Sequence, residues 1–194
     1  MEAEVNNECT NDRISIWIDE LNKIKQNKEM GAFFSNVHDL QSFSAGYIMR
    51  VYEDNFIINH IHPDGYYDGF RAKKLETMIF IERKNQCIEK LNYLAKWYGV
   101  RHETIAPVYN DAFMDILHYA QCNQKVIVIT LIESDGLDIT GIIRDFDNKT
   151  INVLNIDEYG EEDGESLIYF KNIYQIDCDR TCARSIEKLW KSVK

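Results

Sequence analysis

Displacing the chain by 95 residues lays it on itself, with residues 46–82 aligned to 141–177 without a gap. Three glycine pairs coincide: Gly46 with Gly141, Gly65 with Gly160, and Gly69 with Gly164. They hold six of the nine glycines in the protein. The dipeptide Asp68-Gly69 falls on Asp163-Gly164. Identity is only 7 of 37 positions, but the apolar pattern persists: Ile48 pairs with Ile143, Val51 with Phe146, Phe56 with Ile151, Ile58 with Val153, Ile61 with Ile156, Leu75 with Phe170 and Ile81 with Ile176. After a slip of three residues, Ile88-Glu89-Lys90-Leu91 recurs as Ile186-Glu187-Lys188-Leu189. Strand alternation alone would match apolar positions. It would not keep glycines at unchanged separations, because glycine in a strand marks a bend, a bulge or a close backbone approach, and Asp-Gly marks a turn that needs positive φ. The pattern predicts two copies of one fold.

Each copy reads the same way. Ile14, Trp17, Leu21 and Ile24 recur at helical spacing after the cap candidates Thr10 and Asn11, which predicts an amphipathic opening helix. Strands are expected at 32–37, 43–52, 56–62, 70–75 and 78–82, followed by a helix over 86–98. The second copy offers a helix over 111–122, strands near 126–132, 137–146, 150–157, 165–170 and 173–177, and a closing helix over 183–193. Segment 99–110, which contains Pro107, is the natural junction.

A helix followed by five short, bent antiparallel strands resembles the Sm-like fold, a variety of small SH3-like barrel. Val126 to Ile132 looks like the family's first strand, Gly141 stands where its second strand bends, Phe146-Asp147-Asn148 looks like the following turn, and Ile173-Tyr174-Gln175-Ile176 like the closing strand. The resemblance implies a mainly β protein with flanking helices (α+β): two tandem Sm-like or SH3-like five-stranded barrels, 1–98 and 111–194, joined by the linker 99–110. Sm-like proteins typically assemble into rings and bind single-stranded, uridine-rich RNA. They use a loop with Asp and Asn, and a basic residue followed by glycine before the last strand. Asp147 and Asn152 stand near the loop positions at a spacing one residue too long, and neither Phe170-Lys171-Asn172 nor Leu75-Glu76-Thr77 supplies the basic-glycine pair. The resemblance speaks for a fold more than for an activity.

Charge narrows the partners. The 32 acidic against 22 basic residues leave a net charge of -10, so any surface that neutralises phosphate must be local. Residues 1–97 hold 12 basic and 15 acidic side chains, residues 98–194 hold 10 and 17, and the acidity sits mainly in the second copy. An apolar share of 45% is ordinary for a globular chain. No stretch reaches the ~20 apolar residues that span a bilayer, the N-terminus has no signal-like apolar segment, and Cys9, Cys87, Cys122, Cys178 and Cys182 form no Cys-x-x-Cys pair. A cytoplasmic protein with reduced thiols and no cofactor is expected. Cys178 and Cys182 could stand one helical turn apart, but packing or surface thiols are their expected role.

Three groups of residues are candidate sites. His60, His62 and Asp64 carry a weak metal pattern, because residues two apart on a strand share a face and two imidazoles with a carboxylate can hold zinc or iron; the second copy has Asn155 and Asp157 there. Tyr66, Tyr67, Phe70, Arg71, Lys73 and Lys74 interleave aromatics that can stack on bases with cations that can meet phosphates. Asp157, Glu158, Glu161, Glu162, Asp163 and Glu165 place six acids in nine residues, a surface for a basic partner. No nucleophile elbow, cysteine-protease context or phosphate-cradling glycine loop is present. The expectation is a non-enzymatic module acting through protein contacts, with RNA binding by the first copy as one alternative and a metal-dependent enzyme at the His-x-His strand as another.

Overall fold

The computed structural model describes residues 2–35, 42–132 and 138–193, with side chains described from Arg13 to Ser192. Cys9, His38, the cap candidates Thr10 and Asn11 as side chains, residues 36 and 37 of the first expected strand, and Leu137 lie outside that description. The elements are α1 (Glu2–Gln26), β1 (Met30–Phe34), β2 (Ser44–Val51), β3 (Asn55–Ile61), β4 (Tyr67–Lys74), β5 (Phe80–Glu82), α2 (Gln86–Trp97), α3 (Ala112–Cys122), β6 (Val126–Leu131), β7 (Asp138–Phe146), β8 (Thr150–Ile156), β9 (Glu162–Tyr169), β10 (Ile173–Cys178) and α4 (Thr181–Val193). Their types and order match the expected series. The first helix is longer than the apolar periodicity indicates, and Thr10 and Asn11 fall inside it rather than at its start. Among the described residues no helix is long and apolar enough to cross a membrane.

In the first compact unit the strands follow the order β5-β1-β2-β3, and in the second the order β4-β10-β6-β7-β8-β9, antiparallel and open in each. This corrects the expectation of two closed five-stranded barrels. A closed second barrel would need β10 to use both its edges within its own copy. Instead β10 pairs with β6 on one side and with β4, a strand from the first half of the sequence, on the other. Once β4 satisfies the outer N–H and C=O groups of β10, nothing is left on that edge to close a barrel. The chain divides into two compact units, residues 1–67 with 74–103, and residues 68–73 with 104–194. Most of β4 therefore belongs to the second.

In the first unit, α1 covers one face of the sheet with Leu21 and Ile24 packed on Phe33, Ile48, Phe56 and Ile58. On the other face, Ile88, Leu91 and Ala95 of α2 meet Met30, Ala32, Ala45 and Ile61. Each large apolar side chain so buried contributes about 1.5–3 kcal/mol. Asn85 caps α2 by accepting the Ile88 N–H at 2.8 Å. In the second unit, α4 covers one face with Ala183, Ile186 and Trp190 on Val126, Val128, Ile142, Leu154 and Ile156. Helix α3 buries Phe113, Ile116, Leu117 and Ala120 and is capped by Asp111, which accepts the Met114 N–H at 2.9 Å. The buried Asp115 carboxylate accepts the N–H groups of Val108 and Tyr109 at 2.9 and 2.8 Å and so fastens the segment that leads into α3.

The duplication is geometric as well as sequential. A bulge between Ile48 and Arg50 of β2 recurs between Ile143 and Asp145 of β7, and the partners Ile58 and Val153 also stand 95 apart. Gly46 lies against the carbonyl of Asn59, and Gly141 against that of Leu154; a Cβ at either would overlap the oxygen. Gly65 meets Leu94 of α2 as Gly160 meets Leu189 of α4. The inward residues Ile88, Leu91 and Ala95 thus correspond to Ala183, Ile186 and Trp190, at the same displacement of 95. This corrects the three-residue slip read from Ile88 to Leu91: that match of letters is not the match of positions.

Alanine at Gly46 or at Gly141 should cost about 1–3 kcal/mol each, the range for forcing atoms into a filled space. Urea unfolding would show a lower midpoint with an unchanged slope.

Candidate functional site

Strand β4 alternates so that Arg71 and Lys73 point one way and Phe70 and Ala72 the other, and all four are buried. Asp177, opposite Arg71 in the β4–β10 register, is fully buried. Its Oδ1 accepts from Arg71 Nε at 2.5 Å, and its Oδ2 accepts from Arg71 Nη2 at 3.1 Å, Gln175 Nε2 at 2.8 Å and Arg180 Nη1 at 3.3 Å. The two-pronged arginine contact is the strong form of this interaction. Asp68, earlier in β4, accepts the N–H of Thr181 at 2.8 Å and so seats the first turn of α4. Lys73 packs its ammonium over the Tyr174 ring, 5.0 Å from its centroid. Burial, reinforced by the neighbouring Arg71 charge and only partly opposed by Asp177, lowers its pKa to about 7.

This arrangement relocates the basic-aromatic stretch of the first copy. Phe70, Arg71 and Lys73 are 1, 8 and 3% exposed, so they are core residues that tie β4 to β10. Tyr66 and Tyr67 are half-buried, and Lys74 makes an ion pair with Glu76 at 3.6 Å. The structure does not gather the six into one surface.

The acidic run stays outside. Asp157 turns inward to accept the N–H groups of Tyr159 and Glu161 at 2.9 and 2.8 Å and shapes the β8–β9 turn. Glu158, Glu161, Glu162, Asp163 and Glu165 are exposed. Among the described residues β9 pairs with β8 alone. Leu167, in mid-strand, is 76% exposed, and Tyr169 beside it is also exposed. Sequence reading passed over both apolar residues. The signal was available, since Leu167 lies 95 residues after Ala72, a strand-interior position.

His60 is buried, while His62 stacks on Tyr66 at 4.3 Å and stands 3.3 Å from an Asp64 oxygen. Among the described residues no group of three His, Cys, Asp or Glu is placed to hold a metal ion. Asp147 uses one oxygen for the N–H groups of Lys149 and Thr150, both at 2.7 Å, and these bonds hold its carboxyl below the ordinary range. Asn152 is half-buried within β8. Cys178 ends β10 and Cys182 lies in α4, so they do not share a helical turn. Burial pushes the Cys178 thiol far up, away from a nucleophilic thiolate.

Asp177→Asn should destabilise the protein by about 3–5 kcal/mol, because it leaves the Arg71 charge buried without its counter-ion; thermal and urea unfolding would measure the loss. Lys73 makes a separate prediction. Its folded pKa lies below that of the unfolded chain, so between pH 7 and about 10.4 the unfolded state binds a proton that the native state has released, and stability rises with pH across that window. Wild type should therefore gain on Lys73→Met in unfolding free energy as the pH is raised from 7 to about 10, measured as the difference between paired urea titrations.

No protein-family model matches the chain, and no curated protein matches it either. The functional reading is carried by the residues.

Proposed function

We propose that this chain is a non-enzymatic, cytoplasmic interaction module that engages a basic polypeptide by strand addition along β9. The observation that carries this reading is the contrast between two equivalent glycines. Gly69 in β4 has a φ of 83° and lies so close to the backbone of Cys178 and Asp179 that a Cβ there would collide with it. Gly164 in β9 has a φ of 75°, and a Cβ there would meet nothing within 4 Å. The same contrast holds along the strand. Phe70 and Ala72, buried in β4, correspond to Glu165 and Leu167, exposed in β9. Strand β9 shares the positive-φ glycine of β4, but among the described residues β8 is its one strand neighbour.

An edge offers unsatisfied N–H and C=O groups that an added strand can use. The acids Glu162, Asp163 and Glu165 favour a strand bearing Lys or Arg and speed its encounter. The free thiols of Cys87, Cys122, Cys178 and Cys182 are in keeping with a reducing compartment.

Fluorescence anisotropy with labelled extended peptides tests the reading. A peptide alternating Lys and Val should bind, lose affinity as salt rises, and bind about tenfold more weakly to the Glu162→Lys/Glu165→Lys protein, while its Glu-containing counterpart should not bind. Equal binding of both peptides, or indifference to the charge reversal, would overturn it. Preferential binding of a uridine-rich oligonucleotide would move the reading to RNA.

A further inference from the structure

A cavity of about 220 Å³ lies in the first unit beside the C-terminal ends of α1 and α2. Lys28, Tyr47, Asn92, Lys96 and His102 line it, with Ala95 among its apolar walls and no carboxylate. Neither lysine has an acidic partner among the described residues, although the chain as a whole carries ten more acids than bases. The one carboxylate adjacent in sequence, Glu29, is already engaged by Arg83 at 3.5 Å and Lys84 at 3.0 Å.

The polar groups of the cavity all point to one kind of ligand. The Tyr47 hydroxyl donates to Asn92 Oδ1 at 2.6 Å. That bond occupies the amide oxygen and leaves the two N–H donors of the Asn92 amide for another acceptor. Partial burial raises the Tyr47 pKa, so its hydroxyl keeps this donor role at neutral pH. The His102 ring meets the Tyr47 ring edge-on at 4.3 Å, which fixes its plane. The carbonyls at the helix ends accept from the chain that follows: Lys28 and Glu29 donate to Lys25 and Ile24 carbonyls, and Gly99 and Val100 to those of Lys96 and Ala95. The residues that line the space thus include two lysines and one side-chain amide beside an apolar wall.

We propose that this cavity binds a small phosphate-type dianion, either free inorganic phosphate or a phosphomonoester whose carbon part lies on Ala95 and the Tyr47 ring. The ammonium groups of Lys28 and Lys96 supply the charge, and Asn92 supplies directional hydrogen bonds. The site is independent of the β9 edge.

The test is an NMR titration of the isotopically labelled protein with inorganic phosphate, then with glycerol phosphate, each against chloride at matched ionic strength. The Asn92 side-chain amide and His102 ring signals should shift saturably with both phosphates and not with chloride, and glycerol phosphate should bind more tightly if the organic ester is the natural ligand; tighter binding of inorganic phosphate would assign the free ion. Lys28→Gln/Lys96→Gln should weaken binding at least about tenfold, as expected when charge-assisted hydrogen bonds are removed. Lys90→Gln, an exposed lysine of α2 outside the cavity, should leave it unchanged. Both variants replace exposed side chains and preserve folding, checked by circular dichroism. Absence of saturable shifts, equal shifts in chloride, or undiminished binding by the double variant would overturn the proposal.

Discussion

The join between β4 and β10 rests on one buried carboxylate. Asp177 is fully inaccessible, and isolated burial of such a charge costs several kcal/mol. It is tolerated because Arg71 comes from the neighbouring strand in register and Gln175 and Arg180 come from its own segment, so both its oxygens are engaged. The arrangement specifies as much as it stabilises. A slip of one residue between β4 and β10 would turn Arg71 to the opposite face and break its two-pronged contact with Asp177, so the ion pair penalises that slip. It also decides where β4 belongs: a strand that lies in the first half of the sequence is counted with the second compact unit.

Much of the fold was legible because it depends on local chemistry. Helix and strand types follow apolar periods of 3.6 and 2, and the copies reveal themselves through glycines whose positions are fixed by close backbone approach at Asn59 and Leu154. Strand partnership was not legible at the same level. Alternation tells which residues of β10 share a face, but its edges present the same N–H and C=O groups to any neighbour, so a closed barrel and an open sheet are written with the same letters. The choice was carried by a contact between residues 106 positions apart, Arg71 and Asp177, which no local window contains.

The same limit explains the misplaced basic stretch. Tyr66 to Lys74 has the composition of a solvated, phosphate-seeking surface, and half of that description came from Arg71 and Lys73. Lysine and arginine are rarely buried, so the default reading of such a run is exposure. Burial became possible only through a carboxylate opposite Arg71 and an aromatic ring beneath Lys73, both supplied by β10. Five acids of the acidic run, in contrast, are exposed, and in the β8–β9 register no basic side chain stands opposite Glu162 or Glu165 as Arg71 stands opposite Asp177.

The two halves of the repeat then differ in one respect that composition alone hides. β4 and β9 share a glycine with positive φ at the same place, but β4 carries residues that a neighbour can bury, Phe70 and Ala72, while β9 carries Glu165 and Leu167. An apolar edge with an open backbone would pair indiscriminately, including with itself. In the proposed strand addition, acids at Glu162, Asp163 and Glu165 would repel a like edge, while the exposed Leu167 and Tyr169 would meet the side chains of a strand of opposite charge. The open space at Gly164 would admit a backbone under that proposal, and the carboxylates would restrict which one. In the strand addition proposed for β9, selectivity would come from charge laid over the positive-φ glycine geometry that β4 also has.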